Sequence, residues 1–169
     1  MAEAIKRGAK EGLGFGIIAG IIFAMMEVVG AAMMGNPPLM PIRMFASVLL
    51  GQSALEATPM GTAFIVGSLV HMALSGAFGV VYGLINARFS PETQTRWGRQ
   101  VGIGLVFGAM LWLVNFQIIA RALYPWFLTT PQFLQMMMHA MFFGLPLALM
   151  YAGAERRIAR PLRPIAHGA

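Results

Sequence analysis

Glu27, His71, Asn115 and His139 are the side chains in this sequence best suited to chemistry, and each interrupts a different apolar stretch. At 1.5 Å of rise per helical residue, each lies roughly 4–6 Å from the midpoint of its stretch, displaced toward the same side. An ionisable group at that depth is costly and is by default a candidate functional residue. Three chemistries fit the set. Mutual satisfaction would pair Glu27 with His71 and Asn115 with His139, fixing register between helices. Bis-histidine ligation of a b-type haem would use His71 and His139, with Gly67, Ala140 and Gly144 small enough to admit a porphyrin. A metal or proton site would use Glu27, His71 and His139, because carboxylate and imidazole suit zinc-like ions and also relay protons. Mutual satisfaction is preferred, since close packing of the first two stretches leaves little room for a macrocycle.

The elements that must position these residues are four apolar runs, at about 12–34, 62–86, 101–121 and 132–153. Each is long enough to cross a hydrocarbon core, which takes about 20 residues. The 169 residues are 58% apolar and 11% charged, and a mean hydropathy of +0.71 places the chain among membrane proteins. The expected fold is a single all-α domain over 1–169, with four transmembrane helices arranged as two similar helical hairpins. Pro37, Pro38 and Pro41 end the first run, and residues 42–55 read as a short amphipathic helix lying in the interface.

Ten of the twelve Lys and Arg residues fall on one side of these spans. They group as Lys6, Arg7 and Lys10, then Arg88, Arg96 and Arg99, then Arg156, Arg157, Arg160 and Arg163. Only Arg43 and Arg121 lie on the other side. The positive-inside rule puts both termini and the middle loop in the cytoplasm. The net charge of +6 is therefore juxtamembrane, where it orients the chain and attracts anionic headgroups. Nucleic-acid binding is excluded, because no soluble domain is left to carry it. The basic start resembles a signal peptide, but the apolar run is too long, and an uncleaved signal-anchor helix is expected. With no cysteine, disulfides, thiolate metal sites and thiol nucleophiles are absent together.

Small residues recur every fourth position. The first run carries Gly12, Gly16, Gly20 and Ala24, and the second Gly67, His71, Ser75, Gly79 and Gly83. Lipid provides little hydrophobic force between helices, so close backbone approach must supply much of the packing energy. An antiparallel register placing Gly16 opposite Gly83 and Gly20 opposite Gly79 also brings Glu27 level with His71. Gly104 and Gly108 offer a further pair, either for internal packing or for homodimerisation. The two halves of the chain repeat in outline. Gly16 and Gly20 precede Glu27 as Gly104 and Gly108 precede Asn115, and Gly76 follows His71 by five residues as Gly144 follows His139. Duplication of a two-helix unit accounts for this, with both copies in the same orientation.

The remaining features point to anchoring and packing. Tyr124, Trp126 and Phe127 form an interfacial aromatic belt around Pro125, and Trp97 does the same on the opposite side. Pro146 is positioned to kink the fourth span. The fifteen methionines follow no ligand spacing and read as adaptable packing groups. His167, in the basic tail, reads as solvated. There is no phosphate-binding loop, HExxH or nucleophile–base pair.

The run from Pro41 to Gly51 (PIRMFASVLLG) followed by Gly67 to Gly83 (GSLVHMALSGAFGVVYG) resembles a loosely defined group of small, largely uncharacterised bacterial inner-membrane proteins. That resemblance implies a four-span fold in a bacterial inner membrane and assigns no site residues. The expected function is non-enzymatic, as an accessory or scaffolding subunit of a larger inner-membrane complex such as an energy-transducing one. The alternatives are a haem-carrying electron-transfer subunit and a small metal-ion or proton transporter. Expected partners are lipids and either other membrane subunits or further copies of the chain. Topology reporters fused after Arg99 and at Ala169 should both register cytoplasm, and one at Gln52 the opposite side. A cytoplasmic signal at Gln52 would overturn the span assignment.

Overall fold

The computed structural model describes residues 2–159; Arg160, Arg163 and His167 lie outside the described residues. Six helices carry the fold: α1 (Ala2–Met33), α2 (Met40–Leu50), α3 (Met60–Asn86), α4 (Pro91–Thr95), α5 (Trp97–Leu123) and α6 (Gln132–Ala159). Among the described residues, α3, α5, α6 and Ile5–Met33 of α1 are long and apolar enough to cross a membrane. They match the four apolar runs and extend beyond them at several ends.

The breaks have local causes. α1 stops where Gly35 takes φ 75°, with the Gly35 amide donating to the Ala32 carbonyl and the Asn36 amide to that of Ala31. This is a glycine-terminated helix end in which two otherwise orphaned carbonyls are satisfied. α2 carries Pro41 in its first turn, where the missing N–H costs nothing. The expected helix over 42–55 is not continuous. Gly51 at φ 70° ends α2, and a short 3-10 turn follows at Gln52–Leu55. The Arg43 guanidinium ties these two pieces together by donating to the carbonyls of Ala54 and Thr58 at 2.8 and 2.9 Å.

Glycine sets the distance between α1 and α3. A Cβ on Gly79 would collide with the Gly12 carbonyl and the Gly16 backbone, and one on Gly16 would strike Ser75 and Gly79. Such contact between main chains is open only to residues without side chains. The register differs from the sequence expectation by about one turn. Gly16 meets Gly79 rather than Gly83, Gly20 meets Ser75 rather than Gly79, and Gly83 rests on Gly8. In α5, Gly104 and Gly108 lie against Gly144, Ala148, His139 and Ala140 of α6. That pair is thus consumed within the chain rather than left for a second copy. Gly67 seats α2, meeting the backbone of Ile42 and Ala46.

Tyr82, Leu147, Ala148, Tyr151 and Ala152 are fully buried toward the end where α1 begins and α6 finishes. Polar groups close that end. Arg7 holds Glu155 through one guanidinium nitrogen at 2.7 and 2.9 Å. Tyr151 donates to the Gly8 carbonyl, and Tyr82 to Gln100 Oε1 at 2.8 Å. Gln100 Nε2 in turn donates to Asn86 Oδ1 at 2.9 Å. Each of these buried groups has a partner, as a low-dielectric interior demands.

Replacing Gly79 with Ala should lower unfolding stability in detergent by about 1–3 kcal/mol, the usual range for an overpacked site. Gly14 has open space around it, so Gly14→Ala should be neutral or stabilising by up to about 1 kcal/mol from helix propensity. Equal effects at the two positions would mean that glycine contact does not hold α1 to α3.

Candidate functional site

The polar residues singled out in the sequence converge on one cavity of about 310 Å³ at the end of the bundle away from the Arg7–Glu155 pair. α1 supplies Phe23 and Glu27, and α3 supplies His71, Ser75 and Phe78. α5 supplies Asn115, Phe116 and Ala120, and α6 supplies Gln135, His139 and Phe143. α2 forms a wall through Pro41, Met44, Phe45 and Val48. The segment after α5 contributes Tyr124, Phe127 and Thr130. It is pinned to α2 by the Trp126 indole, which donates to the buried Ser47 hydroxyl at 2.8 Å.

The backbone is unusual where α5 and α6 border this space. Leu113–Ala120 and His139–Gly144 wind as π-helix, and these stretches contain Asn115, Phe116, Ala120, His139 and Phe143. Such wide turns in α-helices frequently occur at functional sites. In α6 the cause is local: Pro146 has no amide to donate and its ring crowds the preceding turn. α5 has no proline within its stretch.

The pairings differ from those expected. With α1 shifted along α3, His71 lies beside Gly20 rather than Glu27, and its Nε2 shares a 2.9 Å hydrogen bond with the Gly20 carbonyl. A carbonyl only accepts, so Nε2 carries the proton and the neutral ring keeps a lone pair on Nδ1. His139 uses Nδ1 on the Gln135 carbonyl of its own helix at 2.8 Å, not on Asn115, which leaves the lone pair on Nε2. Glu27 is held by Gln135, whose Nε2 donates to Oε2 at 3.1 Å. The other carboxyl oxygen, Oε1, is buried with no donor within reach.

Neither ligation scheme has its geometry. The His71 ring stacks on Phe45, with centroids 4.2 Å apart, and on Phe23 at 5.8 Å. Phe23 also meets His139 edge-on at 4.6 Å. One phenyl ring thus rests against both imidazoles that a haem would have to separate, and the Nε2 of His71 is already engaged. Among the described residues no three His, Asp or Glu side chains converge closely enough to hold a metal ion. Glu27, His71 and His139 share a cavity without forming a ligand set.

Gln135, which holds Glu27, is not among the residues the sequence singles out. The available signal was an amide inside an apolar run, one helical turn before His139 and hence on the same face. Asn86 and Gln100 were missed for another reason, since they sit at span ends where polar residues ordinarily meet water. No protein-family model, curated protein or solved structure matches this chain, so roles are assigned from the geometry alone.

A double-mutant cycle tests the observed pairing. Changing Glu27 and Gln135 separately to leucine should each destabilise the protein by about 1–3 kcal/mol, the cost of a buried group left without its partner. The double change should cost less than the sum. Coupling between Glu27 and His71 should be near zero by thermal unfolding in detergent. Strong coupling there would contradict the observed register.

Proposed function

We propose that this chain is a non-enzymatic integral protein of a bacterial inner membrane, with both termini cytoplasmic, acting as an accessory or scaffolding subunit of a larger membrane assembly. The observation that carries this reading is outward apolar surface. Only 22–39% of the residues in the most apolar window of each span are buried within the chain, so most of each helix is left for lipid and neighbouring helices. Leu13, Ile21 and Met25 of α1, Ile65 and Leu69 of α3, and Val106 of α5 all face outward. The buried polar groups support a positioning role: His71 spends a nitrogen on Gly20, Glu27 is held by Gln135, and the far end is closed by ion pair and amide contacts.

The architecture belongs to the same proposal. α1 with α3, and α5 with α6, form two similar hairpins descended from one unit. Supporting this, Gly20 rests beside His71 and Ser75, while Gly108 rests on His139 and Ala140. Gly16 likewise meets Gly79 as Gly104 meets Ala148. α2 lies in the interface, its Pro41, Ile42, Ala46 and Ser47 inward and Leu49 outward. At the proposed cytoplasmic face, Arg96, Arg99 and Arg156 gather around Trp97, with the Arg156 guanidinium 5.7 Å from the indole centroid. That group suits anionic lipid headgroups.

Native mass spectrometry of the protein extracted from its own membrane in mild detergent should find it in stoichiometric association with other membrane subunits. Recovery solely as monomer or as a homo-oligomer would refute the accessory role.

A further inference from the structure

The cavity joins an aromatic wall to an unpartnered acid. Phe23, Phe45, Phe78, Phe116, Phe127 and Phe143 all line it, and no lysine or arginine does. Glu27 is only 9% exposed, yet its Oε1 meets no donor. The two imidazoles present lone pairs, because the proton of each is committed to a backbone carbonyl. The surroundings therefore offer acceptors and π-faces and call for a donor or a positive charge. An anion would be repelled by the carboxylate. A neutral hydrocarbon would fill the apolar volume but leave Oε1 unsatisfied, which is costly in a low-dielectric setting. A metal ion lacks a third converging ligand. At about 310 Å³ the space lies at the small end of the range for organic-ligand sites.

We propose that this cavity binds a small lipophilic organic ammonium ion. Its N–H donates to Glu27 Oε1, and its apolar body lies among the phenyl rings. Gln135 acts as a positioning residue: it occupies Oε2 and leaves Oε1 as the free acceptor of the carboxyl. The proposal does not depend on the accessory role, since a scaffolding subunit and a solitary protein could each carry the site.

Equilibrium dialysis of the full chain in detergent micelles, referenced to empty micelles, tests it with two probes of one shape. 1-Naphthylmethylamine is protonated at neutral pH, whereas 1-naphthylmethanol is uncharged. The amine should bind saturably, and about tenfold or more tightly than the alcohol, as a charge-assisted hydrogen bond in a buried site implies. Glu27→Gln should bring the amine down to the level of the alcohol, Glu27→Asp should retain the preference, and Val48→Phe, which fills the wall on α2, should weaken both. Equal affinity for the two probes in the wild-type protein would overturn the proposal, as would absence of saturable amine binding. Undiminished amine binding by a folded Glu27→Gln variant would overturn it as well. Should that variant fail to fold, the wild-type comparison of amine with alcohol decides alone.

Discussion

Main-chain contact between α1 and α3 is the constraint from which the rest of this structure follows. Lipid tails are as apolar as leucine, so two helices in a bilayer gain by packing only when their surfaces fit. Gly12, Gly16, Gly79 and Gly83 remove the side chains that would hold the backbones apart. Once those residues interlock, the depth of every other group on both helices is fixed. His71 falls beside the Gly20 carbonyl, Phe23 comes to rest on its ring, and Glu27 projects past α3 toward α6. The cavity lies beyond the glycine contacts, with Phe23, Phe45 and Phe143 among the rings that line it.

The four spans were legible in the sequence because length and hydropathy are one-dimensional properties. The depth of the polar groups was legible for the same reason, and Glu27, His71, Asn115 and His139 do line one space. Their partners were not. A small-residue stripe repeating every four positions fits itself equally well after a shift of one turn, so Gly16 opposite Gly83 and Gly16 opposite Gly79 satisfy the pattern alike. In the structure Gly83 meets Gly8, a residue outside the expected span. Gln135 was hidden by a different effect. Its value comes from a carboxylate 108 positions away in sequence, and nothing local to α6 announces it.

Two polar clusters in the bundle are built differently. Around Tyr82, Asn86 and Gln100 a chain of hydrogen bonds runs from the Tyr82 hydroxyl through the Gln100 amide to Asn86 Oδ1. Around Glu27 the count is left open by one oxygen, and the nearby helices use wide π-turns instead of regular ones. Natural sequences tend to break local rules where function is at stake and to satisfy them elsewhere. Here the π-turns lie at the cavity end, while an ion pair and amide contacts hold the other.

The bonds from α1 to α6 impose an order on biogenesis. Arg7 waits for Glu155, Gly8 for Tyr151 and Glu27 for Gln135. Each of these bonds joins a group made early to one made near the end of translation. Until the last span is made, the Glu27 carboxyl lacks the one side-chain donor that holds it. The final span does not merely add a fourth helix. Its arrival completes the first one, supplying the partners that Arg7, Gly8 and Glu27 lack until then.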